Sequence, residues 1–290
     1  MKKSLLTIVT LCVFASSCTK ESDVLTNTIS LADKKEQVCE LLRQINENSF
    51  MVGEIHNKGV VEILKGLSEV TRSNDSLTII KGAIKQYAMD KADSLLDNCL
   101  LKELYISKFE HYYDSVTEGH SNLPSIQVPL LDPLRLANLD SLSRALVNNI
   151  DSALVSTDTA QVVVLGKLYK VIQKADSIRE DDVRNMVIGM AAIAANSYVF
   201  WNELYDAYTH NVMGTLPAPR PTFGGLVKAD AKAAGIHITI SWILNAALKW
   251  QMIAVDAAAN SVCELIDWSS VFDFSAVADA IRQRVAELQN

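Results

Sequence analysis

The sequence predicts an all-α protein: a multi-helix bundle with two central apolar helices, preceded by an N-terminal signal and a flexible tether. Apolar residues recur at the i, i+3, i+4 spacing of helices from about residue 31 onward, and strand-like alternation is nearly absent. Two long stretches carry no formal charge, Asn185–Asn202 and Ala233–Leu248. Helices that are apolar on every side belong in the middle of a bundle or in a membrane.

The chain opens with the parts of an export signal. Lysines at positions 2 and 3 precede an apolar run, Leu5–Phe14, and an Ala-Ser-Ser-Cys motif at residues 15–18. This order is typical of a secretory signal. The run is shorter than the stretch of about 20 apolar residues that spans a bilayer. We therefore expect residues 1–17 to be a cleaved signal peptide.

The Ala-Ser-Ser-Cys motif resembles the lipobox of bacterial lipoproteins, where the cysteine is acylated and the chain is cut just before it. It departs from the commonest form at Ala15, where leucine is usual, and ordinary signal peptidase would cut the same bond. The resemblance implies a lipid anchor on Cys18, with residues 18–30 as a flexible tether. The charged stretch Thr19–Asp23 is similar to the surface-export tag of lipoproteins in some Gram-negative bacteria. It implies an exported cell-envelope protein at the outer membrane, exposed on its surface.

The composition indicates a folded chain and disfavours nucleic acid as a partner. The hydrophobic fraction is 49% and the net charge is −7, whereas disordered chains combine low hydrophobicity with high net charge. Basic residues are interspersed with acidic ones, and phosphate binding needs a concentrated basic face. The expected partners are the membrane, reached through the lipid anchor, and a protein that the sequence does not identify.

Three cysteines lie in the helical part of the chain, Cys39, Cys99 and Cys263. In an oxidising compartment they allow one disulfide with one thiol left over. We favour three buried thiols, because each cysteine lies among apolar neighbours at helical spacing. No Cys-x-x-Cys pair and no nucleotide-binding loop occurs, so the sequence predicts neither a metal site nor a cofactor.

The helices are expected to form one helical domain, 31–290, with a sub-boundary in the proline-containing loop 119–133. The patterns Ser30–Asp33 and Ser177–Glu180 indicate capping boxes, each of which would open a helix. A proline-rich connector, 214–225, separates the two apolar stretches. The pattern predicts helices at about 31–45, 55–67, 79–95, 100–116, 138–154, 159–175, 178–208, 226–267 and beyond residue 275.

One short segment contains a histidine followed directly by an asparagine, Gly53-Glu54-Ile55-His56-Asn57. His56 and Asn57 are placed to cap a helix start, and asparagine is the better capping residue. The segment resembles a Gly-x-x-His-Asn pattern in uncharacterised helical lipoproteins, some of which carry a late apolar stretch rich in alanine and glycine. The resemblance implies no known activity.

A second candidate cluster consists of Glu203, Asp206 and His210, which helical spacing places on one face. Metal ligation commonly draws three converging groups from more than one element, and general-base catalysis needs a cleft around the pair. Surface helices carry such clusters routinely, so a solvated helix face is the alternative interpretation.

No nucleophile elbow, zinc-binding histidine pair or phosphate-binding loop is present. We therefore expect a lipid-anchored envelope protein with a binding or structural role rather than an enzyme. The alternative is a membrane-active, pore-forming or toxin-like lipoprotein whose two apolar helices insert as a hairpin. An enzyme whose site is assembled from distant residues comes third. The burial of Asn185–Asn202 separates the first two interpretations.

Overall fold

The described part of the chain is helical. The computed structural model describes residues 31–49, 51–70, 77–95, 130–131, 133–155, 160–212, 227–228, 230–235 and 250–267. Its helices are α1 Leu31–Glu47, α2 Val52–Val70, α3 Leu77–Leu95, α4 Pro133–Asn138, α5 Ser141–Val155, α6 Gln161–Ala175, α7 Asp181–Val212 and α8 Trp250–Asp267. Residues 227–228 and 230–235, called the 227–235 segment below, are also helical. No strand occurs in these ranges, which confirms the all-α prediction for them.

The chain divides into two units, Met1–Glu40 and Leu41–Asn290. In the first unit the described residues are 31–40, which form the start of α1. Leu41–Asn290 contains all the other described helices, and it is the unit in which the helix packing and the buried polar side chains described below are found.

The second unit contains two groups of packed helices. One group consists of α2, α3 and α8, and the other of α5, α6 and α7. The contact between α2 and α7 joins the two groups. Residues that bring helices close together are small: an added Cβ on Gly59 of α2 would lie 3.1 Å from the Cβ of Ala258 in α8. The backbones of α2 and α8 therefore approach each other closely at this position.

The apolar stretch Asn185–Asn202 lies inside α7 and forms a large part of the core. Every residue from Met186 to Ser197 is buried, and the side chain of Ile193 is fully enclosed. The core interpretation of this stretch is thus confirmed. Of the second stretch, Ala233–Leu248, only residues 233–235 are described, and these are buried. Among the described helices, none combines the length and the hydropathy needed to cross a membrane.

The starts of α4 and α7 differ from the sequence prediction. The capping box at Ser177–Glu180 does not open α7; these residues form the turn after α6, with the amide of Ile178 donating to the carbonyl of Ala175 at 2.9 Å. α7 begins at Asp181, whose carboxylate favours a helix N-terminus. The proline loop ends earlier than predicted, since Pro133 is the first residue of α4. Proline suits this position, where a helix needs no amide donor.

The prediction of a buried thiol is wrong for Cys39, which is free and exposed. The buried positions nearby are Val38 and Ile45, seven residues apart and therefore on one face of the helix. Cys39 lies about 100° round the helix from Val38, and so faces solvent. Cys99 and the side chain of Cys263 lie outside the described residues, as do the predicted helices at 100–116 and beyond 275.

Asp140 caps the start of α5. Its carboxylate accepts hydrogen bonds from the amide of Ser143 at 2.8 Å and from the hydroxyl of Ser143 at 2.9 Å. These two bonds, the amide bond foremost, hold the pKa of Asp140 below its usual value. Arg144 in the next turn donates to the carbonyls of Leu136, Ala137 and Leu139 and so closes the end of α4.

We expect the Asp140 cap to make the stability of the fold depend on pH in the acid range. Because the folded-state pKa is lowered, the carboxylate stabilises the fold above its unfolded pKa, and this contribution is lost as the pH falls through the folded value. Urea unfolding between pH 2 and pH 6 measures it. Asp140→Asn keeps a good capping side chain but does not ionise, so its stability should lack this component. An unchanged pH profile in that variant would contradict the assignment.

Candidate functional site

Three polar side chains from separate elements meet inside the apolar core. His56 comes from α2, Ser197 from α7 and Asp230 from the 227–235 segment, and each is 0% exposed. These three residues are called the polar centre. Burying a carboxylate and an imidazole together is costly unless each finds partners. The polar centre is therefore the strongest candidate for a functional site within the described residues.

Asp230 is the hub of the polar centre. Its Oδ2 accepts a short hydrogen bond from the Ser197 hydroxyl and lies 3.3 Å from Nε2 of His56. That separation lacks hydrogen-bond geometry, so His56 Nε2 has no hydrogen-bond partner among the described residues. The second carboxylate oxygen, Asp230 Oδ1, also lacks one. Native cores satisfy nearly all of their buried polar atoms, so these two atoms require an explanation.

The other ring nitrogen of His56 is held by Asn57. His56 Nδ1 lies 2.9 Å from Asn57 Oδ1, and Asn57 Nδ2 donates to the backbone carbonyl of Asn196 at 3.3 Å. A carbonyl only accepts hydrogen bonds, so the Asn57 amide nitrogen must face Asn196 and its oxygen must face His56. His56 Nδ1 is therefore the protonated nitrogen of the pair.

The glycine of the Gly-x-x-His-Asn segment has a steric role. A Cβ on Gly53 would overlap the side-chain amide of Asn196 and would lie 2.8 Å from the carbonyl oxygen of Ala192. Asn196 uses both of its amide hydrogens there, donating to Asn46 Oδ1 at 2.8 Å and to Ala192 O at 2.9 Å. Only glycine at position 53 lets α2 approach this network closely enough to bring His56 to Asp230.

A second buried charge lies on the 227–235 segment, on the side away from the polar centre. Lys228 is 4% exposed, and its Nζ lies 2.6 Å from Asp151 Oδ1 on α5. Two residues apart on a helix, Lys228 and Asp230 point about 200° apart. The 227–235 segment therefore contacts α5 on one side and the polar centre on the other.

The polar centre differs from a nucleophile-and-base pair. The Ser197 hydroxyl donates a hydrogen bond to Asp230. The hydroxyl of an activated serine instead donates a hydrogen bond to an imidazole, which a third group orients. Both contacts of Asp230 fall on the same oxygen, Oδ2. This arrangement offers an imidazole nitrogen and carboxylate oxygens as binding groups, rather than a nucleophile.

Two of the candidate residues from the sequence analysis are found here: His56 belongs to the polar centre, and Asn57 contacts it. His56 and Asn57 are inside α2 rather than at its start, so the capping role predicted for them is wrong. Glu203 is partly exposed on α7. α7 extends past Asp206 and His210, but their side chains lie outside the description. Cys18 also lies outside the described residues.

Sequence reasoning missed Ser197 and Asp230. A faint signal existed: Asn196 and Ser197 are adjacent polar residues in an apolar run, and Asp230 is flanked by alanines. Neither signal indicates which distant residue would pair with it.

Comparisons with known proteins give no further guidance. No family model matches the chain, and neither a curated protein nor a solved structure matches it.

Proposed function

We propose that this chain is a lipid-anchored protein of the cell envelope, attached through Cys18, whose helical domain serves as a binding module with the polar centre as its site. The observation that carries the binding role is the pair of buried atoms, His56 Nε2 and Asp230 Oδ1, which lack hydrogen-bond partners among the described residues. Unsatisfied buried titratable groups are concentrated at functional sites, because a purely structural core gains nothing by keeping them.

The burial of α7 supports this proposal over the membrane-active alternative. A helix that inserts into a bilayer must present its apolar residues to lipid, yet Met186–Ser197 is enclosed by protein. Releasing it would expose side chains whose burial is worth roughly 1.5–3 kcal/mol each. An enzymatic role comes third, since Ser197 and His56 are not arranged as a nucleophile and its base.

Anchoring is tested by metabolic labelling with an alkyne fatty acid. We expect label on the wild-type chain in the membrane fraction and none on Cys18→Ser. Cys39→Ser is the matched control, because Cys39 is a free, exposed thiol that is not adjacent to a cleavage site. Labelling of Cys18→Ser at the wild-type level would contradict the anchor. Digestion by protease added to intact cells tests the surface location.

Membrane activity is tested with the mature chain carrying Cys18→Ser and dye-filled liposomes. We expect no leakage, and we expect Ile193→Ala to lower the free energy of unfolding by about 2–5 kcal/mol, since a fully buried side chain is truncated. Leakage by the parent chain, combined with an Ile193→Ala variant that is equally stable but no longer leaks, would favour the membrane-active alternative. Ile243 and Leu244, the corresponding residues of the second apolar stretch, lie outside the described residues.

A further inference from the structure

Helix α6 carries its positive charges on one exposed face. Its three lysines, Lys167, Lys170 and Lys174, are all exposed, and together they are called the lysine stripe. At the helical rotation of about 100° per residue, they fall within an arc of about 60° on the helix surface. Val163, which is 47% exposed, lies in the same arc one turn before Lys167. The exposed face therefore extends over most of the length of α6.

No acidic residue balances the lysine stripe within its helix. α6 contains neither aspartate nor glutamate, whereas each of the other described helices that contains a lysine also contains an acidic residue. Among the described residues, none of the stripe lysines forms an ion pair. Asp176 follows α6 with helical dihedral angles, so it points about 150° away from the centre of the stripe. The stripe is thus a local concentration of positive charge on a chain whose net charge is −7.

The lysine stripe also lies on an uncovered side of α6. The buried side chains of this helix, which include Leu165, Leu168 and Ile172, face away from the stripe, toward the neighbouring helices α5 and α7. Beside the stripe, an added Cβ on Gly166 would meet nothing within 4 Å. The stripe is therefore open to a surface outside the protein.

We propose that the lysine stripe docks the helical domain on the anionic headgroups of the membrane that holds the lipid anchor. This inference rests on the proposed anchor at Cys18 and adds a second contact with the same membrane. Each lysine near an anionic leaflet favours binding about fivefold, so three together favour it roughly a hundredfold. The net negative charge of the chain selects this orientation, because anionic headgroups repel faces of like sign.

The tether explains how three charges suffice. One acyl chain or a few basic residues alone bind a membrane only weakly and reversibly, whereas an acyl chain combined with a basic patch gives stable attachment. The chain from Cys18 to Leu31 can extend to about 47 Å at most, so the anchor keeps the domain at a high effective concentration beside the bilayer. At the start of the exposed face, Val163 adds an apolar contact at the level of the headgroups.

The test is amine acetylation of the acylated mature chain, reconstituted in phosphatidylcholine vesicles with or without phosphatidylglycerol as the anionic lipid. Peptide mass spectrometry gives the acetylation rate of each lysine. On the anionic vesicles we expect the stripe lysines to react about fivefold more slowly, or more slowly still. Lys58 is exposed on α2 and flanked one turn away by Glu54 and Glu62, so its rate should not change. At about 1 M salt, where the Debye length is about 3 Å, the protection should disappear.

Two charge-matched variants separate the stripe from the net charge of the chain. Lys167→Gln combined with Lys174→Gln leaves Lys170 as the reporter and should abolish its protection. Lys34→Gln combined with Lys35→Gln removes the same charge from exposed positions of α1 and should leave Lys170 protected. Equal reactivity of Lys170 on the two kinds of vesicle, or protection that persists in the first variant, would overturn the docking surface.

The same digest distinguishes failure of the docking surface from failure of the anchor. The mass of the N-terminal peptide reports whether Cys18 carries acyl chains. A chain without them is tethered instead through a polyhistidine tag at residue 18 to a nickel-chelating lipid in the same vesicles. Slower acetylation of the stripe on anionic vesicles in that arm supports the docking surface, and unchanged acetylation overturns it.

Discussion

Replacing Gly53 with alanine is expected to lower the free energy of unfolding by about 3–5 kcal/mol, measured by urea denaturation of the mature chain carrying Cys18→Ser. The new methyl group would overlap the Asn196 amide and press on the carbonyl of Ala192. Overpacking alone costs about 1–3 kcal/mol. Displacing Asn196 also breaks its bonds to Asn46 and Ala192, and each buried polar group left unpaired costs about 1–3 kcal/mol.

Gly82→Ala is the control for the Gly53 prediction. Gly82 lies inside α3 and is exposed, and an added Cβ there meets nothing within 4 Å. Alanine is the better helix former by about 1 kcal/mol, so this variant should be as stable as the parent or more so. If both substitutions had the same effect, the close approach of α2 to Asn196 would be contradicted.

Replacing Asp230 with alanine should be equally damaging, at about 3–5 kcal/mol, since removing one member of a buried charge pair strands the other. The Ser197 hydroxyl would lose its acceptor and His56 would lose its facing carboxylate. Asp230→Asn should cost less, because it keeps the volume and one oxygen acceptor. Thermal and urea unfolding both measure the difference.

Asp176→Ala provides the matched control for Asp230. Asp176 is exposed at the end of α6, and surface substitutions outside special contacts usually stay within about 0.5 kcal/mol. A loss at Asp230 no larger than that at Asp176 would mean that the polar centre contributes nothing to the fold.

Most helices could be predicted because their signal is local. The spacing of apolar residues located α6 within two residues of its observed start, and the run of four apolar residues beginning at Val162 is helical rather than a strand. The uncharged stretch in α7 was assigned to the core because a helix that is apolar on every side has no face to present to water. These conclusions depend only on neighbours within a few turns.

The start of α2 was missed because the turn before it has no local signal. Met51 adopts a φ of 58°, a left-handed conformation that residues other than glycine and asparagine rarely take. Its amide donates to the carbonyl of Asn46 at 3.2 Å, which closes the turn and lets α2 begin at Val52. His56 is therefore more than a turn inside the helix, where its side chain serves tertiary contact rather than capping.

The polar centre could not be predicted because it depends on how distant elements pack. His56 was singled out through its neighbours, but Ser197 is 33 residues from Asp230 and still further from His56 in sequence. Side chains so far apart share a site only after α2, α7 and the 227–235 segment have packed. Periodicity gives the faces of single helices and says nothing about which faces meet.

The central claim, that His56 and Asp230 are in direct contact within the core, is tested most directly by a double-mutant cycle. The free energies of unfolding of the parent, His56→Ala, Asp230→Ala and the double variant are measured at one pH. Residues in contact show coupling energies of about 0.5–3 kcal/mol, and for this buried pair we predict about 2 kcal/mol. Additive effects, with a coupling energy below about 0.5 kcal/mol, would contradict the contact and with it the polar centre.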